Sequence, residues 1–158
     1  MQRTMYRQLC VLGLTSLFLI LAGTVGASDQ PARNTTGIIC PNSAEPIGLV
    51  MDSRSNVYTA CGMTGQIFCL PPGGDPVSYA EVEGTLTALA VDSRRILYIG
   101  TESGQIHAIT LDGSVHEVHR CTSRIIGLSA DRDGGLIIAM GNGTVVTVER
   151  EELEWGKK

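Results

Sequence analysis

The 158-residue chain has no cluster of lysines or arginines; its 12 basic residues are outnumbered by 16 acidic ones, for a formal net charge of −4. A nucleic-acid partner needs a concentrated basic surface to neutralise phosphate, so that class is excluded. No C-x₂-C pair occurs, the closest cysteines being Cys61 and Cys69, which disfavours a structural zinc site. The chain also lacks a G-x-S-x-G nucleophile elbow, a phosphate-binding loop and a dinucleotide fingerprint. Helical periodicity is nearly absent, its one candidate being the charged tail 151–158.

Acidic residues are missing from the N-terminal stretch as well, the first being Asp29. Arg3 and Arg7 precede an apolar run from Val11 to Ala22, and small residues stand at Val25 and Ala27. That layout reads as a secretory signal over residues 1–27, with no membrane span once it is removed. The alternatives are an uncleaved anchor, since the run reaches the lower edge of bilayer-spanning length, and a mitochondrial presequence, in which arginines would be spread along an amphipathic helix. Export makes the four cysteines beyond it, Cys40, Cys61, Cys69 and Cys121, candidates for disulfides in an unassigned pairing, ahead of zinc ligation, with free buried thiols the third option. Asn34 and Asn142 match the glycosylation acceptor pattern.

What the chain does contain is a repeat. "LAVDSRRILYIGTESGQIHAI" lies over "LSADRDGGLIIAMGNGTVVTV", setting Leu89 on Leu128, Asp92 on Asp131 and Gly104 on Gly143. An earlier copy, "LVMDSRSNVYTACGMTGQIFCL", sets Leu49 on Leu89, Asp52 on Asp92 and Gly65 on Gly104. The period is about 40 residues, and each unit reads as strands: an apolar run ending in Asp, a polar turn, a second apolar run, a Gly-bearing hairpin and a third strand. A weaker fourth strand follows at 77–82 and 115–120, and the third copy has none. Second strands such as "ILYIG" and "LIIAM" are apolar on both faces, as expected of strands covered on both sides. The fold class is therefore all-β, with about three four-stranded propeller-type blades at about 47–86, 87–125 and 126–150 in a repeat domain spanning 28–150. The segment "TTGIIC", residues 35–40, precedes the first copy as "EVHRC" precedes the third, and is expected to be an outer strand that completes a last blade in the same chain or across a symmetric partner.

The quoted copies resemble blades of the NHL and SMP-30/gluconolactonase-like propellers, and "LYIGTESGQIHAI" is also similar to quinoprotein-like repeats. The resemblance spans about residues 47–149 and concerns blade architecture. Three copies fall short of the four to eight blades of closed propellers, which leaves open a partial propeller or a truncated relative of a longer one. The SMP-30 resemblance would imply a hydrolase with acidic residues, here Asp52, Asp92 and Asp131, around calcium or another divalent metal. The competing reading makes each Asp a turn residue that accepts backbone N–H groups two residues on; recurrence in every copy favours it, and replacing any one by alanine would then cost a similar 0.5 to 1.5 kcal/mol, roughly.

The histidines give less. His107 takes a strand position held elsewhere by Phe68 and Val146, and His116 and His119 are an odd number of positions apart. Arg54, Arg94 and Arg132 recur beside the turn aspartates as a candidate polar rim, and Trp155 is a candidate for docking on the body. The functional expectation is an exported, non-catalytic binding or assembly module without a cofactor. It would act on a protein or small-molecule partner or on itself, as a homodimer completing a ring.

Overall fold

The computed structural model describes residues 39–40 and 44–155, and all of the regular elements but one turn of 3-10 helix are strands. In chain order these are β1 (Pro46–Met51), β2 (Val57–Cys61), β3 (Gln66–Leu70), β4 (Val77–Glu81), β5 (Leu86–Val91), β6 (Leu97–Thr101), β7 (Gln105–Ile109), β8 (Val115–Arg120), β9 (Ile125–Ala130), β10 (Leu136–Met140) and β11 (Val145–Val148). They form three antiparallel meanders, β1-β2-β3-β4, β5-β6-β7-β8 and β9-β10-β11, one sheet per sequence repeat. Short hairpins set this order because each connection has the residues its geometry needs. The β2–β3, β6–β7 and β10–β11 turns carry Gly65, Gly104 and Gly143, all with positive φ.

Sheet packs on sheet through side chains whose spacing is that of the strand pleat. Tyr58, Ala60, Ile67 and Cys69 of the first blade bury against Leu97, Ile99 and Ile109 of the second. Tyr98, Ile106, Ala108 and Val118 of the second bury in turn against Leu136, Ile138, Met140 and Val148 of the third. The central blade is therefore sandwiched, and all five residues of β6 are buried.

β10 departs from the expectation that both faces of its "LIIAM" would be covered. Leu136, Ile138 and Met140 face the core, but Ile137 points to solvent because no blade lies beyond it among the described residues. Among the described residues the third blade likewise has three strands, as its sequence indicates.

Both ends of the described chain are tied down. Cys40 is disulfide-bonded to Cys61 at the end of β2 and packs with Ala44 and the half-buried Phe68. A disulfide fits an oxidising, extracytoplasmic environment. The other two candidates are free: Cys69 is a thiol buried opposite Tyr58, within the interface between the first two blades, and Cys121 is a half-buried thiol just after β8. Burial pushes both thiols up, which makes them poor nucleophiles.

At the other end, Arg150–Glu152 form the 3-10 turn, whose Glu149 and Glu152 make a reciprocal cap. Leu153 then enters the core between the second and third blades, the Glu154 N–H donates to the Val118 carbonyl at 2.7 Å, and Trp155 meets Tyr98 edge-on at 6.3 Å. The tail is thus a clasp on the body and not a fourth strand. The signal segment 1–27, Asn34 and residues 35–38 lie outside the described residues. Asn142 is exposed in the β10–β11 hairpin, where its side-chain oxygen accepts the Thr144 N–H. Among the described residues no helix is long and apolar enough to cross a membrane.

Candidate functional site

The turns after β1, β5 and β9 place Asp52, Asp92 and Asp131 at the same point of each blade. Asp52 Oδ1 accepts the N–H groups of Arg54 and Asn56 at 2.8 and 2.9 Å, and its Oδ2 accepts the Asn56 amide and the Tyr58 hydroxyl. Asp92 Oδ1 accepts the N–H groups of Arg94 and Ile96, and Oδ2 takes Arg94 Nε and Nη2 at 3.0 and 2.8 Å together with the Tyr98 hydroxyl. Asp131 Oδ1 accepts three N–H groups, from Asp133, Gly134 and Gly135. Such hubs hold the chain in an Asx-type turn whose third residue past the aspartate is left-handed: Ser55, Arg95 and Gly134 all have positive φ.

Burial pushes the Asp52 pKa up, but the hydrogen bonds from Asn56, Arg54 and Tyr58 outweigh it and hold the carboxyl below the usual carboxylate range. Burial and the Asp92 charge keep the Tyr98 hydroxyl protonated, with its pKa pushed up to about 12. Among the described residues no three carboxylate, imidazole or thiol groups converge as a metal would require.

The rim arginines are not equivalent. Arg94 folds back on Asp92 and lies against the Gly134 turn of the third blade, whereas Arg54 and Arg132 are exposed. A second polar group sits on the central blade, where Gln105 Nε2 donates to Glu117 at 3.0 Å and Arg120 pairs with Glu117 at 2.8 Å. His107 stands opposite Glu117 with its Nε2 buried and unpartnered. His116 and His119, opposite Ala108 and Ile106, are separated by the bulge that turns Val118 into the core. A cleft of 460 Å³ does bring Asp112, Ser114 and His116 together, but the Asp112 carboxylate accepts from Thr110 and the Ser114 N–H and not from the imidazole.

Burial lowers the His107 pKa; Glu117 opposes this, and Arg120 adds to it. Between pH 7 and pH 5 the unfolded chain, titrating near 6.5, therefore takes up more protons at this position than the folded one, and stability falls. Thermal melts of the wild type should show that fall. His107→Phe, carrying the residue of the equivalent first-blade position, should be at least as stable at pH 7 and lose most of the slope.

The larger feature is apolar. Leu49 and Met51 are 69% and 63% exposed on the outer face of the first blade, and Ile126, Ile137 and Val145 are 54%, 42% and 65% exposed on the third. Register puts Leu49 beside Thr59 and Met51 beside Val57 on one face, and Ile137 with Thr147, and Val145 with Ala139, on the other. In the repeat, Ile137 and Val145 stand where Tyr98 and Ile106 stand, which the following blade buries. Leu49 and Met51 stand where Leu89 and Val91 pack against the preceding blade, as do Leu128 and Ala130 in the third copy. The two faces are thus the separate halves of a junction that the chain builds twice internally. A three-blade chain that does not close is expected to leave such end faces uncovered, and the alignment that sets Leu49 on Leu89 points to their residues.

No family model matches the chain, and no curated protein does either. Solved structures match its fold. The WD40 β-propeller domain of Doa1 superimposes with a TM-score of 0.58 at 16% identity, over 70% of this chain and 40% of that one. Virginiamycin B lyase from Staphylococcus aureus gives 0.55 at 17%, over 69% of this chain and 43% of that one. The computationally designed Ika4 protein gives 0.55 at 19%, over 66% of each. The blades are therefore those of a β-propeller, and the chain spans less than half the length of the natural ones. Nothing among these matches singles out NHL or SMP-30 propellers.

Proposed function

We propose that the protein is an exported, non-catalytic assembly module: two copies join end face to end face into a six-bladed ring that presents its turns to a protein or small-molecule partner. The observation that carries this reading is the equivalence of the exposed Leu49/Met51 and Ile137/Val145 faces to the buried sides of the two internal junctions. Contiguous apolar side chains on a sheet face are covered in stable proteins, and the face that fits each of these is the other one. A two-fold arrangement makes the junction twice and leaves neither face in water. The aspartates suit a non-catalytic role, since Asp52 Oδ1, Asp92 Oδ1 and Asp131 Oδ1 accept backbone N–H groups and are engaged in shaping the turns.

Light scattering on residues 28–158 at micromolar concentration tests this. A mass of two chains that reverts to one in Ile137→Asp, with strand-type circular dichroism retained, is the expected result. A wild-type monomer overturns it.

A further inference from the structure

We propose that each copy donates the segment Thr36–Cys40 as the fourth strand of the other copy's third blade, pairing it with β11. This rests on the two-copy reading above and adds a specific partner for an edge that reading leaves open. β3 and β7, the equivalents of β11, each carry a fourth strand, whereas among the described residues β11 pairs with β10 alone. The vacancy has a definite shape. The carbonyls of Gly65 and Gly104 accept the N–H groups of Val82 and Cys121, just past the ends of β4 and β8, at 2.9 and 2.8 Å. A Cβ placed on Gly65 or Gly104 would run into those same backbones, while one placed on Gly143 meets nothing within 4 Å.

The repeat identifies the missing strand. Gly62, Glu102 and Gly141 donate to Glu45, Thr85 and Arg124, so residue 45 enters the first blade as 85 and 124 enter the second and third. Counting back from these entries, Ile39 falls on Tyr79 and Val118, the bulge residues at which the third-to-fourth-strand register shifts. Each of these is an inward residue, Val118 lying in the core and Tyr79 packed against it, and Ile39 is again apolar. Cys40 is bonded to Cys61, which follows Val57 and Thr59 at alternate positions and so shares the exposed face of Leu49 and Met51. The disulfide therefore roots the segment at the face the second copy meets, and a strand leaving from there has β11 of that copy as its free neighbour.

Paired cysteines test it. Val77 and His116 lie opposite Cys69 and Ala108, and Ser78 and Glu117 lie opposite Phe68 and His107, which sets Gly37 against Thr147 and Ile38 against Val146. One of two adjacent antiparallel pairs is the closer, non-hydrogen-bonded kind, so both are made. A chain with Gly37→Cys is mixed, unfolded and refolded with one bearing Thr147→Cys, and likewise Ile38→Cys with Val146→Cys. Mild oxidation should link unlike chains in at least one set, and Gly143→Ala should raise the dimer dissociation constant at least tenfold. A dimer by light scattering that links in neither set overturns the strand donation and leaves the two-copy reading standing. In a chain made with both cysteines of a set, an internal link with none between chains also overturns it, and a monomer overturns both.

Discussion

Gly104→Ala is expected to unfold the protein or to lower its stability by about 3 to 5 kcal/mol, the range of severe backbone clashes. Gly104 has φ +85, where an L side chain is strained by itself, and its added Cβ would sit 2.6 Å from the Cys121 carbonyl oxygen and 2.9 Å from that of Ser123. Both obstacles are backbone, and the Gly104 carbonyl is held to the Cys121 N–H at 2.8 Å, so the hairpin cannot move aside without losing the exit of β8. In a single chain, Gly143→Ala at the equivalent turn should lose only about 1 kcal/mol, the cost of its positive φ. Urea denaturation of the two variants at concentrations too low for association checks this; equal losses would refute the account.

The three aspartates should not respond alike. Asp92→Ala strips two N–H groups, the Arg94 guanidinium and the buried Tyr98 hydroxyl of their acceptor at once, and should cost about 2 to 3 kcal/mol. Arg94 is partly in water, so most of that loss comes from Tyr98 and the turn and little from the ion pair. Asp131→Ala loses three N–H partners at a more open turn and should cost about 1 kcal/mol, with Asp52→Ala between the two. Denaturation midpoints for the three variants give the ranking, and Asp131 proving the most sensitive would refute it. Calcium should leave all three melting temperatures unchanged. The uniform cost expected from the repeat is revised because equivalent positions have acquired different partners: six residues past the aspartate stands a tyrosine, Tyr58 or Tyr98, in two copies and Ile137 in the third.

Most of the architecture could be read from the chain because a strand repeat states its period, its turns and its faces in the same letters. β8 at 115–120 and β10 on "LIIAM" fall where expected, whereas β4 ends one residue short of 82 and β6 begins one residue after the start of "ILYIG". Long-range choices were not legible. Whether Cys61 would join Cys40 or Cys69 depends on which face of β2 each neighbour occupies, and Cys69 turns out to lie across from Tyr58 on the opposite face. The tail carries no period, so the seat of Leu153 between two blades was invisible until the blades were in place. The site was the least legible part: charged turns attract notice in a sequence, whereas an exposed Leu49 or Ile137 is spelled like any core residue.

The sandwiching of the central blade sets how the molecule comes apart. Each meander closes on itself through consecutive strands, so its contacts are short in sequence and it can form before its neighbours do. Coupling then passes only between adjacent blades, as in a one-dimensional chain of units, and an end unit is held by one interface where the middle one is held by two. Amide exchange should accordingly be slowest in β6, faster in β2 and fastest in β10, the free chain fraying inward from its two ends. Covering those ends removes the fraying points, so assembly would turn three graded units into one cooperative transition.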